Sequence, residues 1–369
     1  MKKIIIFISI ILSTILIICF STDKSRIIIV NGIKYKTTLN GSSVSSFPTG
    51  GNYEVTVECE NAIGEWNYSK WVMEIYEITG SVSCNISFTS KNSVYLNDYI
   101  ISLSGTTQGT GQVVNENGYR YEGKDPNNYI YFNNELWRII GVFDSTSHGI
   151  SNTNLVKIIR DNSIGGYGLD ERNASTDWTK TDGIHLLNDY YYESLDATSS
   201  IYCGDISSCD YTAIGLKKNY RNMIQTVTWY LGQYDTVYGD WEVGKFYTGE
   251  RSSTVAYGNT VSTTGNIGLM YASDYGYSVL ASNCARTTNL TDYNSNSCAG
   301  KSWIVKYAEW TMTHRSSDYL FIIDYYGEIG FNNTKENFSV RPVVYLKSNV
   351  MILSGDGSVT NPYQIRLES

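Results

Sequence analysis

The placement of the cysteines constrains the fold of this chain more than any other feature. Six of the seven fall into three local pairs: Cys59 and Cys84, Cys203 and Cys209, Cys284 and Cys298. An even number of neighbouring cysteines is typical of disulfides in exported proteins. Metal binding is the alternative, but no CxxC motif occurs and the three histidines are distant in sequence. We therefore predict three short-range disulfides and an oxidising compartment.

The first pair lies in a segment with the pattern of β-strands. Alternate residues are apolar or cysteine in two stretches, 53–59 and 82–89. Such alternation places both cysteines on the apolar faces of their strands, where one disulfide can cross a small core. Glycine-, serine- and asparagine-rich turns separate four predicted strands, at 27–37, 53–59, 71–78 and 82–89. Residues 27–90 are thus predicted to form a small all-β module, with Trp66 and Trp71 capping its core.

The N-terminus has the pattern of an export signal. Lys2 and Lys3 precede a largely apolar run, Ile4 to Phe20, and charged residues follow it. If helical, this run reaches about 25 Å, enough to span a membrane. Residues 1–26 are therefore interpreted as a signal peptide or an N-terminal membrane anchor, with lipidation at Cys19 a weaker alternative. Each places 27–369 outside the cytoplasm.

The remainder is predicted to be an α+β domain at 112–369, joined to the module by a linker at 91–111. Two strand-like runs flank Asn133–Asn134, a hairpin signal, in 129–143. Helical spacing occurs in 183–195, with Asp182 as N-cap, and in 214–231, ending at Gly232. Further predicted strands are 155–161, 266–271, 302–305, 319–323, 326–331, 339–347 and 363–367.

Five stretches of this domain resemble a largely uncharacterised family of exported proteins from low-GC Gram-positive bacteria. They are NELWRIIGVF, NIGLMYASDYGYS, KSWIVKYAEWTMT, YGEIGFNNTKENFSVRPVVYLK and SGDGSVTNPYQI. This family is similar to the C-type-lectin-like fold of sulfatase-modifying (formylglycine-generating) enzymes and of the Fibrobacter major paralogous domain. The resemblance implies that 339–347 is a closing strand paired with an early strand. The small β module resembles modules that precede this domain in such proteins.

Arg341 and Pro342 interrupt this apolar closing strand. Proline cannot donate to a sheet ladder, so Pro342 belongs at an edge, a strand start or a bulge. Arg341 is expected to pair with a buried carboxylate or with loop carbonyls, which makes it a structural clamp rather than a ligand contact.

Signatures of catalysis are weak in this sequence. It has no HExxH, GxSxG, P-loop or EF-hand motif. An oxidative role for Cys284 and Cys298, as in the sulfatase-modifying enzymes, is the less favoured interpretation because they bracket a polar loop. The carboxylates Asp274, Glu309, Asp318 and Asp324 show no spacing that indicates a hydrolase pair. An exported enzyme of unknown reaction stays the alternative hypothesis.

A binding function fits the composition better. The net charge of −8 and the absence of a basic stripe argue against nucleic acid. The stretch 268–278 concentrates four candidate ligand-binding residues, Tyr271, Asp274, Tyr275 and Tyr277, although core or rim packing is the favoured interpretation of Tyr271 and Tyr275. Asp274, Asp292 and Asn294 offer hard oxygens that suit Ca²⁺. For SGDGS (354–358) a glycine-rich turn is favoured over a cation loop. We therefore predict a cell-surface binding or adhesion protein whose partner is a glycan or a cell-envelope or host surface protein.

Overall fold

A computed structural model gives the fold of this protein. It divides the chain into two compact units, Met1–Ser93 (unit 1) and Val94–Ser369 (unit 2). The residues it describes are 34–39, 41–45, 47–48, 53–68, 71–90, 94–204, 209–232, 240–253, 259–295, 298 and 300–368, with the backbone of 3–5, 19–20 and 27–28. The fold is mixed α+β and mostly sheet, as predicted.

Nine strands lie in the residues of unit 1 that the structure describes. In chain order, β1 to β9 are Lys3–Ile5, Cys19–Phe20, Ile27–Ile28, Lys34–Leu39, Ser42–Val44, Tyr53–Glu60, Ile63–Asn67, Val72–Tyr76 and Ser83–Ser90. A four-stranded sheet has the order β5-β4-β9-β6, in which β4 and β9 run parallel. A three-stranded sheet has the order β1-β8-β7, and β2 pairs with β3.

The core of unit 1 is aromatic and contains the first disulfide. Cys59 and Cys84 lie directly opposite each other on β6 and β9 and are bonded, as predicted. The Trp66 ring lies 5.3 Å from Trp71 and 5.0 Å from Phe88, both edge to face, which confirms the predicted tryptophan cap. At Gly64 a Cβ atom would lie 2.6 Å from the Cys59 sulfur, so only glycine lets β7 approach β6 this closely.

Most of the apolar N-terminal run, residues 6–18, lies outside the described residues. The backbone of Lys3–Ile5 pairs antiparallel with β8, and Cys19–Phe20 pairs with Ile27–Ile28. Among the helices that the structure describes, none is both long and apolar enough to cross a membrane.

Unit 2 contains sixteen strands in the described residues. In chain order, β10 to β25 are Thr107–Gln108, Gly111–Asn115, Tyr119–Gly123, Tyr129–Phe132, Glu135–Phe143, Leu155–Arg160, Gly166–Tyr167, Val227–Tyr230, Ser262–Gly265, Glu309–His314, Tyr319–Ile323, Ile329–Asn333, Phe338–Ser339, Val343–Leu346, Val350–Ser354 and Gln364–Leu367. The largest sheet has the order β10-β11-β12-β14-β15-β23, with β13 paired to β14. A second has the order β16-β22-β19-β20-β21, and two pairs, β17-β18 and β24-β25, complete the unit.

Short helices connect these strands. The α-helices α1 to α6 are Leu96–Ser102, Ser145–His148, Asp182–His185, Lys218–Arg221, Val243–Glu250 and Ala272–Gly276. Trp178–Lys180 and Leu290–Asp292 are 3₁₀ turns, and Leu186–Tyr191 is a π-helical turn that continues α3.

Several local predictions are confirmed in unit 2. Asn133 and Asn134 both have positive φ, at 57° and 63°, and form the two-residue turn between β13 and β14. The strand β23 pairs antiparallel with β15, so the closing strand does return beside an early one. Pro342 immediately precedes β23, where its missing N–H leaves no gap in the ladder.

Other local predictions are wrong in detail. The predicted linker 91–111 contains α1 and β10, because Leu96 and Ile100 lie one helical turn apart and are both buried. The N-cap of α3 is Thr181, whose hydroxyl accepts from Ile184 N, and not Asp182. The predicted strand at 302–305 is a loop, and the strand expected at 266–271 lies earlier, at β18.

The predicted helix at 214–231 is the largest error. Only α4 is helical there, and β17 replaces the last turns. Gln225 N donates to Tyr345 O, and β17 pairs with β18 throughout its length. Val227 and Trp229 are buried and alternate with less buried residues, as in a strand. The apolar residues at 227 and 229 therefore reflect a strand and not a helix.

Candidate ligand-binding cleft

A cleft of about 760 Å³ opens on unit 2 where four elements meet. It is lined by the β11–β12 turn, the start of α2, the end of β17 and the end of α5. The lining residues are Asn115, Asn117, Gly118, Asp144, Thr146, Tyr230, Tyr247, Thr248, Arg251 and Ser252. Amides, hydroxyls and tyrosine rings dominate this wall, and Arg251 is its only cation among the described residues.

A group of buried charged residues lies against this wall. We call the set Arg120, Lys157, Glu250, Arg251 and Asp274 the cleft cluster. Asp274 is at its centre: its carboxylate accepts from Arg120 Nη1 at 3.0 Å and from Lys157 Nζ at 2.5 Å. Burying charges is tolerated when each is paired and hydrogen-bonded in this way.

Helix α6 fixes the position of the Asp274 carboxylate. Tyr271 N donates to Asp274 Oδ2 at 3.0 Å, so the carboxylate also caps the start of α6. Burial alone would raise the pKa of Asp274, but the charges of Lys157 and Arg120 outweigh it and lower the pKa to about 2. Burial lowers the pKa of Lys157 to about 8 against the opposing effect of Asp274. Both groups are therefore charged at neutral pH.

Arg120 connects this ion pair to the cleft wall. Its Nε donates to Glu116 O at 3.0 Å and its Nη2 to Asn117 O at 3.3 Å. The guanidinium lies between the rings of Phe143, at 4.5 Å, and Tyr277, at 4.7 Å. The β11–β12 turn is thus held from inside the protein.

Glu250 and Arg251 form the other end of the cleft cluster. The buried Glu250 carboxylate accepts from Ser273 N at 3.1 Å and from Thr313 Oγ1 at 2.7 Å. Arg251 Nη1 lies 3.2 Å from Glu250 Oε2, and its guanidinium carbon lies 3.7 Å from the centre of the Tyr247 ring. The side chain of Arg251 is only 9% exposed although it lines the cleft.

The four residues predicted to bind a ligand are buried. Their exposed fractions are at most 5%, for Tyr271, Asp274, Tyr275 and Tyr277 alike. These side chains therefore do not lie on a surface loop. Three of them nevertheless support the cleft. Tyr271 OH donates to Tyr230 O at 2.9 Å, Asn117 Nδ2 donates to Tyr277 OH at 2.7 Å, and Asp274 acts through Arg120. Tyr275 instead donates to Gly327 O, in the turn between β20 and β21.

The residues that line the cleft on α5 were not identified from the sequence. No helix is predicted from the sequence over 240–253, yet these residues contain α5. Val243, Phe246 and Glu250 are buried at helical spacing, while Tyr247 and Thr248 face outward between them. That spacing was a usable signal for the helix, although nothing in it indicated a cleft.

Arg341 occupies the position expected for a clamp. It makes two contacts with Glu309, including Nε to Oε2 at 2.7 Å, and its Nη2 donates to Ile304 O at 2.6 Å. We call Arg341 and Glu309 the closing pair. Both side chains are 1% exposed, and such a buried bidentate pair is what the clamp prediction requires.

The remaining candidates for chemistry have separate structural partners. Cys203–Cys209 and Cys284–Cys298 are disulfide-bonded, as predicted. Asp324 accepts from Tyr326 N and Glu328 N, while Asp318 accepts from the Ser317 hydroxyl, so neither joins Asp274 or Glu309. Asp356 in SGDGS accepts from Ser358 N, and Gly355 and Gly357 have positive φ, which favours a turn.

Metal ligands are not clustered in the part of the chain that the structure describes. There, no three side chains of histidine, cysteine, aspartate or glutamate come together as a metal site. Of the three residues considered for Ca²⁺, Asp274 is paired with Arg120 and Lys157, and Asn294 donates to Glu328 Oε2 at 2.8 Å.

A second concavity, of about 470 Å³, lies on unit 1 beside β4 and β5. Its cations, Lys34 and Lys36, are exposed. In the cleft of unit 2, by contrast, the cation Arg251 is largely buried.

No family model, no curated protein and no solved structure matches this chain. The geometry of the cleft is therefore the main guide to function.

Proposed function

We propose that this protein is an exported binding protein that recognises glycans at the cell surface through the cleft of unit 2. The observation that carries the proposal is the composition of the cleft wall. Tyrosine rings, amides and hydroxyls surround one buried arginine, a combination suited to a ligand rich in hydroxyl groups.

Export is supported by the three disulfides. Such bonds persist in oxidising compartments and are rare in the cytosol. The apolar N-terminal run adds a signal or anchor to this interpretation. A C-type-lectin-like fold for unit 2 is part of the proposal and rests on the resemblance of its sequence motifs.

Positioning of the wall from inside also supports binding. Arg120 and Tyr277 hold the β11–β12 turn, and Tyr271 holds the end of β17. Binding is favoured when the site is ordered before the ligand arrives, because less entropy is lost on association.

The test is a glycan screen with the full chain produced in an oxidising compartment. Tyr247→Ala removes an aromatic ring from the cleft, and Tyr326→Ala removes one that is 62% exposed outside it. We expect wild type and Tyr326→Ala to bind the same glycans and Tyr247→Ala to lose them. No bound glycan, with all three disulfides formed, would refute the proposed function, and loss in Tyr326→Ala alone would place the site elsewhere.

A further inference from the structure

We infer that the ligand of this cleft is an acidic sugar, and that Arg251 recognises its carboxylate. This inference rests on the proposed function and adds the chemical class of the ligand. It follows from the donors of Arg251, from the charges of the cleft cluster and from the residues around them.

Arg251 has hydrogen-bond donors that no described residue of the protein accepts from. Within the described residues its hydrogen bonds run through Nη1 alone, to Tyr247 O at 3.1 Å and Glu250 Oε2 at 3.2 Å. Its Nε is buried and has no hydrogen-bond partner there. A buried donor without a partner is unfavourable, and a guanidinium edge matches the two oxygens of a carboxylate. A ligand carboxylate in the cleft would supply acceptors to the part of the Arg251 guanidinium that lines the wall.

The charges of the cleft cluster also favour an anion. Three cations, Arg120, Lys157 and Arg251, face two anions, Glu250 and Asp274. Buried charges are screened less than exposed ones, so the surplus positive charge acts on whatever enters the cleft.

Asp144 is the acidic residue of the cleft wall. It is exposed, and its Oδ1 already accepts from the N and Oγ1 of Thr146 at the start of α2. Solvent and these two donors reduce its repulsion of an anionic ligand.

The other lining residues distinguish a sugar from a peptide. Asn117 and Thr248 offer exposed polar groups, and Tyr230 and Tyr247 offer ring faces. None of the described lining residues is aliphatic, so the apolar side chains of a peptide would find little to contact. At about 760 Å³ the cleft falls in the range of small-ligand sites and is large enough for a monosaccharide or a disaccharide.

The experiment compares three probes on the full chain by calorimetry: D-glucuronic acid, its methyl ester and D-glucose. In the ester a methyl group replaces the negative charge of the carboxylate, and the rest of the sugar is unchanged. We expect the acid to bind at least about tenfold more tightly than the ester, since a charge-assisted pair is lost with the ester. Arg251→Gln should remove this preference.

If Arg251→Gln fails to fold, a substitution at the exposed edge of the cleft can test the effect of charge on binding, because it leaves the buried residues unchanged. Thr248 is exposed on α5, so Thr248→Glu adds a negative charge beside the cleft and Thr248→Gln is its neutral control. We expect Thr248→Glu to reduce the ratio of acid affinity to ester affinity, and Thr248→Gln to change both affinities by a similar factor. Equal affinity of acid and ester overturns this inference but leaves a sugar-binding cleft. Absence of binding by every sugar, here and in the glycan screen, overturns the proposed function as well.

Discussion

The closing pair and the cleft cluster are both buried groups of charges, yet they differ in what remains unsatisfied. In the closing pair, the Glu309 carboxylate accepts two hydrogen bonds from Arg341, and Ile304 O accepts a third. In the cleft cluster, Arg251 keeps a buried Nε without a partner among the described residues, at the wall of a cavity. Buried charge alone is therefore weak support for a functional site. A spare donor beside a cavity is stronger support.

The largest expected effect is that of Asp274→Ala, because it leaves two buried cations without their carboxylate. We expect the free energy of unfolding to fall by about 3–5 kcal/mol, towards the upper end of that range, measured by urea denaturation. D-glucuronic acid binding should also be lost, since Arg120 would no longer fix the cleft wall. The exposed Asp98→Ala is the control and should change stability by less than about 0.5 kcal/mol.

Arg341→Ala should come next, at the lower end of the same range of about 3–5 kcal/mol, because it leaves one buried carboxylate unpaired. The protein that remains folded should bind D-glucuronic acid with unchanged affinity. Combining Arg341→Met with Glu309→Leu should restore much of the stability in the same denaturation assay. A loss of sugar affinity in folded Arg341→Ala would contradict the account that only the cleft cluster, and not the closing pair, supports binding.

Acid should affect the cleft cluster in a predictable direction. The pKa of Asp274 is lowered to about 2, so its charged form stabilises the fold above its unfolded pKa near 4. That contribution, about 2 kcal/mol, is fully present above pH 4 and is lost as the pH falls through 2. The stability difference between wild type and Asp274→Asn should shrink across this window. A difference that stays constant from pH 5 to pH 2 would show that the carboxylate is not held by the cations.

The smallest expected effects are those of removing a hydroxyl group from Tyr275 or from Tyr277, two tyrosines of the same sequence stretch. Tyr277→Phe and Tyr275→Phe each remove one buried hydroxyl contact, to Asn117 and to Gly327. We expect each to cost about 1 kcal/mol of stability. Only Tyr277→Phe should weaken sugar binding, by less than about tenfold, because only Asn117 lines the cleft. Equal losses of affinity would mean that the cleft wall does not depend on this contact.

Local chemistry made parts of the fold predictable. Asn133–Asn134 favours the positive φ values of a tight hairpin, and alternation around Cys59 and Cys84 places both on one face. The helix assigned to 214–231 failed because partners far along the chain determine that segment. Tyr345 and β18 supply the hydrogen bonds that make Val227–Tyr230 a strand, and neither is visible in the local spacing.

Of the candidate site, the sequence predicted only residues that lie behind the cleft wall, not those that line it. The stretch 268–278 was singled out for its tyrosines and Asp274, and these residues do contact the cleft wall from inside. The lining itself comes from four separate elements, and sequence spacing carries no information on which of them meet. Arg251 in particular has no motif around it, and the lack of a partner for its Nε among the described residues is a property of the folded structure.

Hydrogen exchange of the full chain, with and without saturating D-glucuronic acid, tests the central claim most directly because it locates the bound sugar. We expect slower exchange in peptides that cover the β11–β12 turn and the end of α5, 115–119 and 243–252, and no change in 319–333. Protection confined to 319–333, or spread evenly over unit 2, would contradict the assignment of the cleft as the binding site.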